Sequence, residues 1–297
     1  MTVLEAIQKS ADFLQKKGVD SPRLHAELLL AHVLNLPRMK LYLNFERVLT
    51  APETDNLREL VRRRGTREPL QHIVGSTSFC GFEIAVNRHV LVPRPETELL
   101  AEEGWNQLSA INSQPTALDF GTGSGCIAIA LAAKVPSAKV YALDVSEEAL
   151  GLARSNAERN HVSDRITFIS GNGFAALRAS EGLPRFDLIV SNPPYIPTAE
   201  IETLDPEVRE FDPRGALDGG PDGLKFYRQL AAEAPVFLNP GGRIMLEFGD
   251  GQAQAIADVF AGQKWIVEAI REDYTQRQRI LIAYHQPSAL SVQRSQA

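Results

Sequence analysis

An α/β fold is expected for this chain: a seven-stranded, mostly parallel sheet covered by helices on both faces, preceded by a small all-α domain and a β-hairpin connector. Three observations predict it. From Thr116 onward short apolar runs alternate with helical patterns, the order that builds a parallel sheet. Before about Arg64 the apolar residues recur at helical spacing throughout. Between the two, residues 68–95 are broken by Gly75, Gly81, Pro93 and Pro95 around short alternations. The expected boundaries are 1–72 for the helical domain, 73–95 for the connector, 96–285 for the sheet domain and 286–297 for a flexible tail. With 297 residues, 44% of them hydrophobic and 23% charged, the chain is long enough for two such cores.

Within the helical domain, Leu4, Ile7, Ala11 and Leu14 share one helix face, and Leu24, Leu28 and Ala31 share another after the start signal Ser21-Pro22. Pro37 ends that second helix. Thr50-Ala51-Pro52-Glu53 is a capping box with proline in the first turn, and Leu57, Leu60 and Val61 continue it as one stripe. The run Arg62-Arg63-Arg64 reads as a solvated helix end, favoured there by the helix dipole. In the connector Phe82, Ile84 and Val86 alternate as hairpin residues do. Pro93-Arg94-Pro95-Glu96-Thr97-Glu98 opens a helix reaching to about Leu108, with Thr97 and two acids in capping positions. Seven strands are then expected, at residues 117–120, 139–144, 166–169, 187–191, 243–248, 266–270 and 280–284.

A formal net charge of -6 argues against a general polyanion binder, because nucleic-acid affinity leans on Lys and Arg neutralising phosphates. Cys80 and Cys126 read as small buried side chains of a protein from a reducing compartment, and no disulfide is implied. The six histidines are scattered, with no pair at ligand spacing, so no metal site is expected. The longest apolar stretch, residues 126–135, is interrupted by Lys134 and too short to span a bilayer; a cytoplasmic protein without membrane contact is expected.

Asp119-Phe120-Gly121-Thr122-Gly123-Ser124-Gly125 lies between the first strand and an apolar helix, where glycines let the backbone turn sharply and approach a ligand at the helix N-terminus. Asp144, about 20 residues on at the end of the second strand, can accept hydrogen bonds from both hydroxyls of a ribose. The sheet is therefore expected to be Rossmann-like. Its glycines follow G-x-G-x-G, which favours a nucleoside with a small zwitterionic tail over a dinucleotide, and no Gly-Lys-Ser/Thr offers a triphosphate site. After the third strand, Ser170-Gly171-Asn172-Gly173-Phe174 either borders an adenine, with Asn172 at the ring edge and Phe174 against it, or is a simple strand-end turn.

The fourth strand runs into Asn192-Pro193-Pro194-Tyr195. The prolines lack an N–H and hold the backbone extended, so carbonyls leave the strand with no ladder to join. The side-chain oxygen of Asn192 and the carbonyl of Pro193 can each accept one hydrogen of a planar NH2 group while Tyr195 covers its face. A turn stiffened by proline is the plainer alternative for that tetrapeptide taken alone.

In their order these pieces resemble the class I S-adenosylmethionine-dependent methyltransferases. Asn192-Pro193-Pro194-Tyr195 is similar to the signature of amino-group methyltransferases. Together with Pro93 to Glu98, Asp119 to Gly125, Asp212-Pro213, Gly219-Gly220 and Gly223-Leu224, it resembles the HemK-like release factor glutamine methyltransferases over nearly the whole chain. The resemblance implies S-adenosyl-L-methionine as cofactor, held by Gly121, Thr122, Gly123, Ser124, Gly125, Asp144, Asn172, Gly173 and Asn192. It implies substrate binding by Asn192, Pro193, Pro194 and Tyr195, with Asn192, Pro193 and Tyr195 as the catalytic set. The implied substrate is the glutamine of a Gly-Gly-Gln motif in peptide chain release factors, methylated at N5 by a monomer without a general base. Relatives often carry an acid and an aromatic where this chain has Asn172 and Gly173, so adenine stacking at 173 is not carried over. Methylation of a ribosomal-protein glutamine, adenine N6 methylation of nucleic acid and a non-catalytic assembly role stand as rivals. The acidic charge weighs against the nucleic-acid rival, and intact Asn192 and glycines weigh against the assembly role.

Overall fold

The computed structural model describes residues 1–111 and 113–286; the expected tail, from residue 287 on, lies outside the described residues. The chain divides into a smaller unit, Met1–Ser76 with Leu204–Asp212, and a larger one, Thr77–Thr203 with the chain from Pro213 on. Thus the hairpin groups with the sheet, and a short segment that follows the fourth strand of the sheet groups with the helices.

The first five helices of the chain lie in the smaller unit: α1 (Val3–Lys16), α2 (Pro22–Leu34), α3 (Arg38–Leu41), α4 (Ala51–Gly65) and α5 (Leu70–Val74). Thr2 and Thr50 each close a capping box with the glutamate three residues on, satisfying N–H groups that a helix start leaves without partners. The buried stripe of α1 is Val3, Ala6, Ile7, Ser10 and Leu14, while Leu4 and Ala11 are only half-buried. On α2 the expected face is displaced: Ala26, Glu27, Leu29, Leu30 and Ala31 are buried and Leu24 is exposed. That helix is apolar nearly all round, so packing against α1 and α4 selects the inner side rather than a stripe in the sequence. Glu27 is buried there because Arg23, Arg38 and the Tyr42 hydroxyl all bond its carboxylate, at 3.1, 3.1 and 3.0 Å.

Arg64 departs from the reading of a solvated helix end. Arg62 and Arg63 pair with Glu59 and Glu68, but Arg64 is 3% exposed and spends its guanidinium on three acceptors. It donates to His25 Nδ1 at 3.0 Å, to the Glu68 carbonyl at 3.1 Å and to Glu207 Oε1 at 2.9 Å. Arg67 donates to the same Glu207 oxygen at 2.5 Å. Burial and the Arg64 charge both lower the His25 pKa, which keeps the ring neutral and able to accept. Pairing explains the burial: a guanidinium leaves water only where fixed acceptors replace it.

The larger unit opens with the hairpin β1 (Ser76–Phe79) and β2 (Phe82–Ala85), then α6 (Pro95–Ser109). All seven expected strands follow: β3 (Thr116–Phe120), β4 (Lys139–Asp144), β5 (Ile166–Ser170), β6 (Phe186–Ser191), β7 (Leu238–Glu247), β8 (Trp265–Glu272) and β9 (Gln278–His285). They lie in the order β5-β4-β3-β6-β7-β9-β8, parallel except that β9 runs antiparallel to both its neighbours. One face carries α6, α7 (Cys126–Lys134) and α8 (Glu147–Arg159); the other carries α9 (Gly173–Ala179), α12 (Lys225–Glu233) and α13 (Ala253–Gly262), and of the two short helices between α9 and α12, α10 (Pro206–Arg209) belongs to the smaller unit and α11 (Arg214–Leu217) to the larger. Leu188, Ile189 and Val190 of β6 are wholly buried between these layers, as an uninterrupted apolar strand requires. Chain order reverses between β3 and β6, so their carboxyl ends face one crevice, where doubly wound sheets bind ligands. No helix among the described residues is long and apolar enough to cross a membrane.

Candidate active site

The loop after β3 supplies one wall of that crevice. Gly121, Gly123 and Gly125 have φ of 80°, 54° and 82°, a left-handed region that side chains rarely adopt. A Cβ on Gly121 or Gly123 would meet no atom, so conformation alone demands glycine there, and their backbone stays open to a ligand. At Gly125 the demand is also spatial, since a Cβ would lie 3.0 Å from that of Ala153. Thr122 and Ser124 are buried, and the Thr122 hydroxyl is spent on Asp119 Oδ2 at 2.6 Å. Asn156, buried on α8, donates to the Ser124 and Ala85 carbonyls and accepts from the Ala85 N–H, which ties hairpin, loop and helix together.

Asp144, at the end of β4, accepts from the Gly123 N–H at 2.8 Å and the Ser146 N–H at 3.0 Å, one oxygen each. Each carboxylate oxygen keeps a lone pair for an outside donor, so the residue fits a ribose diol beside the glycine loop. Asp119 beneath the loop is wholly buried, and burial pushes its carboxyl up to about 7 against the bonds from Thr122 and the Ala128 N–H. Its Oδ1 has no protein partner among the described residues, an orphaned acceptor under a site of ligand approach.

Beyond β5, Asn172 is exposed and makes no cap bond to α9, so its carboxamide is available. Gly173 is pressed against Phe120, whose ring a Cβ would meet at 3.3 Å. Phe174 is fully buried, stacked on Phe237 at 5.2 Å and tilted on Phe120 at 4.8 Å. It therefore does not border a nucleoside, as one reading of the sequence had it; the first turn of α9 directs the ring into the core.

The corner after β6 forms the facing wall. Ser191 anchors it by donating to the Phe120 carbonyl at 2.5 Å, joining the ends of β3 and β6. Asn192 Nδ2 donates to Thr97 Oγ1 at 3.2 Å. Thr97 is thus buried against the corner instead of capping α6, and Arg94, the residue before that helix, makes no side-chain cap bond either. Nor is Glu98 a cap: it accepts from the Cys80 N–H at 2.8 Å and holds the hairpin turn. Behind Thr97 stands Glu247, 3% exposed, its carboxyl pushed up to about 7 by burial and restrained by the Thr97 and Asn192 side chains.

Tyr195 is seated by three glycines. A Cβ on Gly249 would lie 2.9 Å from its Cδ2, one on Gly219 would lie 2.8 Å from its Cα, and Gly223 faces its carbonyl. Gln252 completes the seat, donating to the Tyr195 carbonyl and accepting from the Gly249 N–H, both at 2.9 Å. Burial raises the Tyr195 phenol to about 12, so it is a neutral aromatic wall and not a base. No protein donor reaches the Pro193 carbonyl in the described hydrogen bonds.

The crevice thus gathers Gly121 to Gly125, Asp144, Asn172 and Asn192 to Tyr195, residues that the sequence singled out. Sequence reasoning missed Glu247 and the role of Thr97. An acid closing the apolar run Ile244-Met245-Leu246 was the available signal for Glu247.

Residues 5–75 match the family model of the PrmC N-terminal domain, and residues 97–204 match that of the methyltransferase small domain. The release factor glutamine methyltransferase of Geobacter sulfurreducens is 47% identical over 263 residues, covering 88% of each chain. That of Chlorobaculum tepidum is 42% identical over 282 residues, covering 94% of this chain and 95% of its own. Among solved structures, the hMettl16 catalytic domain is 14% identical and covers 81% of this chain and 84% of its own with a TM-score of 0.53, a likeness of fold. By sequence along nearly its whole length, the chain belongs to the release factor glutamine methyltransferase family.

Proposed function

We infer that this protein transfers a methyl group from S-adenosyl-L-methionine to the side-chain nitrogen of the glutamine in the Gly-Gly-Gln motif of peptide chain release factors. The observation that carries it is the Asn192 carboxamide, whose NH2 is engaged by Thr97, so that Oδ1 is left to accept from a substrate amide beside the Pro193 carbonyl. When bound, the cofactor supplies a methyl already activated on a sulfonium. Gly121 to Gly125, Asp144, Asn172 and Gly173 hold it. Asn192 and Pro193 take one hydrogen each of the glutamine NH2, and Pro194 and Tyr195 confine its plane. An amide nitrogen is a weak nucleophile because its lone pair is delocalised, so the gain comes from fixing its direction and polarising it. Positioning of this kind is worth roughly 7–11 kcal/mol and aligned dipoles a few more, so no general base is needed to start the transfer: the methyl–sulfur bond breaks as the nitrogen–carbon bond forms, a neutral thioether is left, and the surplus N–H proton passes to water.

The helical unit is the proposed docking module for the body of the release factor, away from the glutamine. Its residues 1–76 carry twelve Lys and Arg against nine Asp and Glu, and with the acids of residues 204–212 the unit balances at thirteen of each, in a chain whose net charge is -6. A release factor substrate also puts the site of action in the cytoplasm. The test is mass spectrometry of a purified release factor incubated with the protein and labelled cofactor. One added methyl on the Gly-Gly-Gln peptide is the expected product, and an unmodified glutamine rejects the reading. A short Gly-Gly-Gln peptide in place of the intact factor should raise KM by at least about tenfold if a docking contact worth a single good interaction is lost; an equal KM removes the docking role.

A further inference from the structure

We propose that Thr97 is a positioning residue for the methyl transfer, with Glu247 behind it: together they fix which end of the Asn192 carboxamide faces the substrate. The proposal rests on the reading of Asn192 as receptor for the substrate amide, and it adds residues that touch neither substrate nor cofactor.

A carboxamide is nearly symmetric in shape, but one end only donates and the other only accepts. Turned the wrong way, Asn192 would present NH2 to the NH2 of glutamine, donor against donor. Rotation about one bond separates the two states, so something behind the side chain must choose. Thr97 Oγ1, 3.2 Å from Asn192 Nδ2, is that acceptor. A hydroxyl has a single hydrogen, and once Thr97 accepts from Asn192 that hydrogen is free for the nearby Glu247 carboxyl, whose pKa both the Thr97 and the Asn192 side chains lower. Thr97 and Glu247 are each 3% exposed, so water cannot stand in for either. The acid is itself held from behind: the buried Tyr227 hydroxyl donates to the Glu247 carbonyl at 2.8 Å. Its Oε2 has no hydrogen-bond partner among the described residues, so a buried acceptor is left open there. Since Thr97 lies on α6 and Glu247 closes β7, two elements on either side of β6 agree on the orientation of one side chain.

The pH dependence follows from the same contact. The charged and titratable groups around Glu247 are Glu96 on α6, which raises its pKa, Arg279 on β9, which lowers it, and the phenols of Tyr195 and Tyr227. While Glu247 is ionised it can only accept; as pH falls through about 7 it gains a hydrogen of its own to donate, and the constraint on the Thr97 hydroxyl is lost.

Full-length Thr97→Val, Thr97→Ser and Glu247→Gln chains test this against wild type. Thr97→Val should lower kcat for release factor methylation about tenfold or more, the worth of one buried hydrogen bond, with KM and the cofactor Kd within about twofold. Thr97→Ser should restore most of it. Glu247→Gln should flatten the acid limb of the kcat profile near pH 7. A second reading needs no substrate: the Asn192 side-chain NH2, assigned by its disappearance in Asn192→Asp, should exchange with solvent about tenfold faster in Thr97→Val than in wild type. Unchanged kcat and exchange in Thr97→Val, equal losses in Val and Ser, or an acid limb that survives Glu247→Gln would each overturn the proposal. If wild type leaves release factors unmethylated, the substrate assignment fails, and the exchange measurement still decides whether Thr97 orients Asn192.

Discussion

Asn192→Ala lowers kcat about a thousandfold, while the Kd for S-adenosyl-L-methionine stays within about threefold of wild type. The size follows from what is removed. Alanine leaves the substrate amide one acceptor, the Pro193 carbonyl, so the nitrogen is free to turn away from the methyl and loses the polarisation of its second N–H. The cofactor wall is built from the β3 loop and Asp144, whose bonds to Gly123 and Ser146 do not involve Asn192. Single-turnover rates with isothermal titration separate the two quantities. A variant with wild-type turnover would remove Asn192 from the chemistry.

Asp144→Ala should have the complementary phenotype. Two ribose hydroxyls lose a charged acceptor, each such bond being worth about 1.5–3 kcal/mol, so cofactor affinity falls about a hundredfold or more. Turnover at saturating cofactor should fall far less, because the corner after β6 is untouched. Part of the affinity loss comes through the loop, since Gly123 loses the acceptor that fixes its N–H. Asp144→Asn keeps one acceptor oxygen without the charge and should fall between the two. Titration calorimetry over a range of cofactor concentrations reads this directly, and unaltered affinity in Asp144→Ala would take the ribose contact away from this carboxylate.

The sheet was legible because its signals are local. The first five strands are apolar runs that end at or within two residues of a Gly, Asn or Asp, and the two ligand loops sit where strand order reverses, at Gly121 to Gly125 and at Asn192 to Tyr195. Helix faces were harder wherever apolar residues ring the whole helix, as on α2, because packing then decides what the pattern leaves undecided. Long-range polar pairings were not legible at all. Thr97 and two acids at a helix start read as capping, yet the threonine finds its partner 95 positions away and Glu98 finds Cys80. Arg64 likewise sits in a run that looks solvated and is buried by a glutamate 143 positions downstream. Nothing in the immediate neighbourhood of these residues encodes such partners.

That last pairing sets a timetable for the newborn chain. The N-terminal bundle is complete only when Glu207 arrives, and at roughly 5–20 residues per second the ribosome delivers it on the order of ten seconds after Arg64. Meanwhile a guanidinium destined for burial waits without its carboxylate, so a segment made earlier is finished later. Ribosome-stalled chains ending before residue 204 should be cleaved within residues 1–76 more readily by a protease than chains released past residue 212; equal resistance would mean the bundle matures alone.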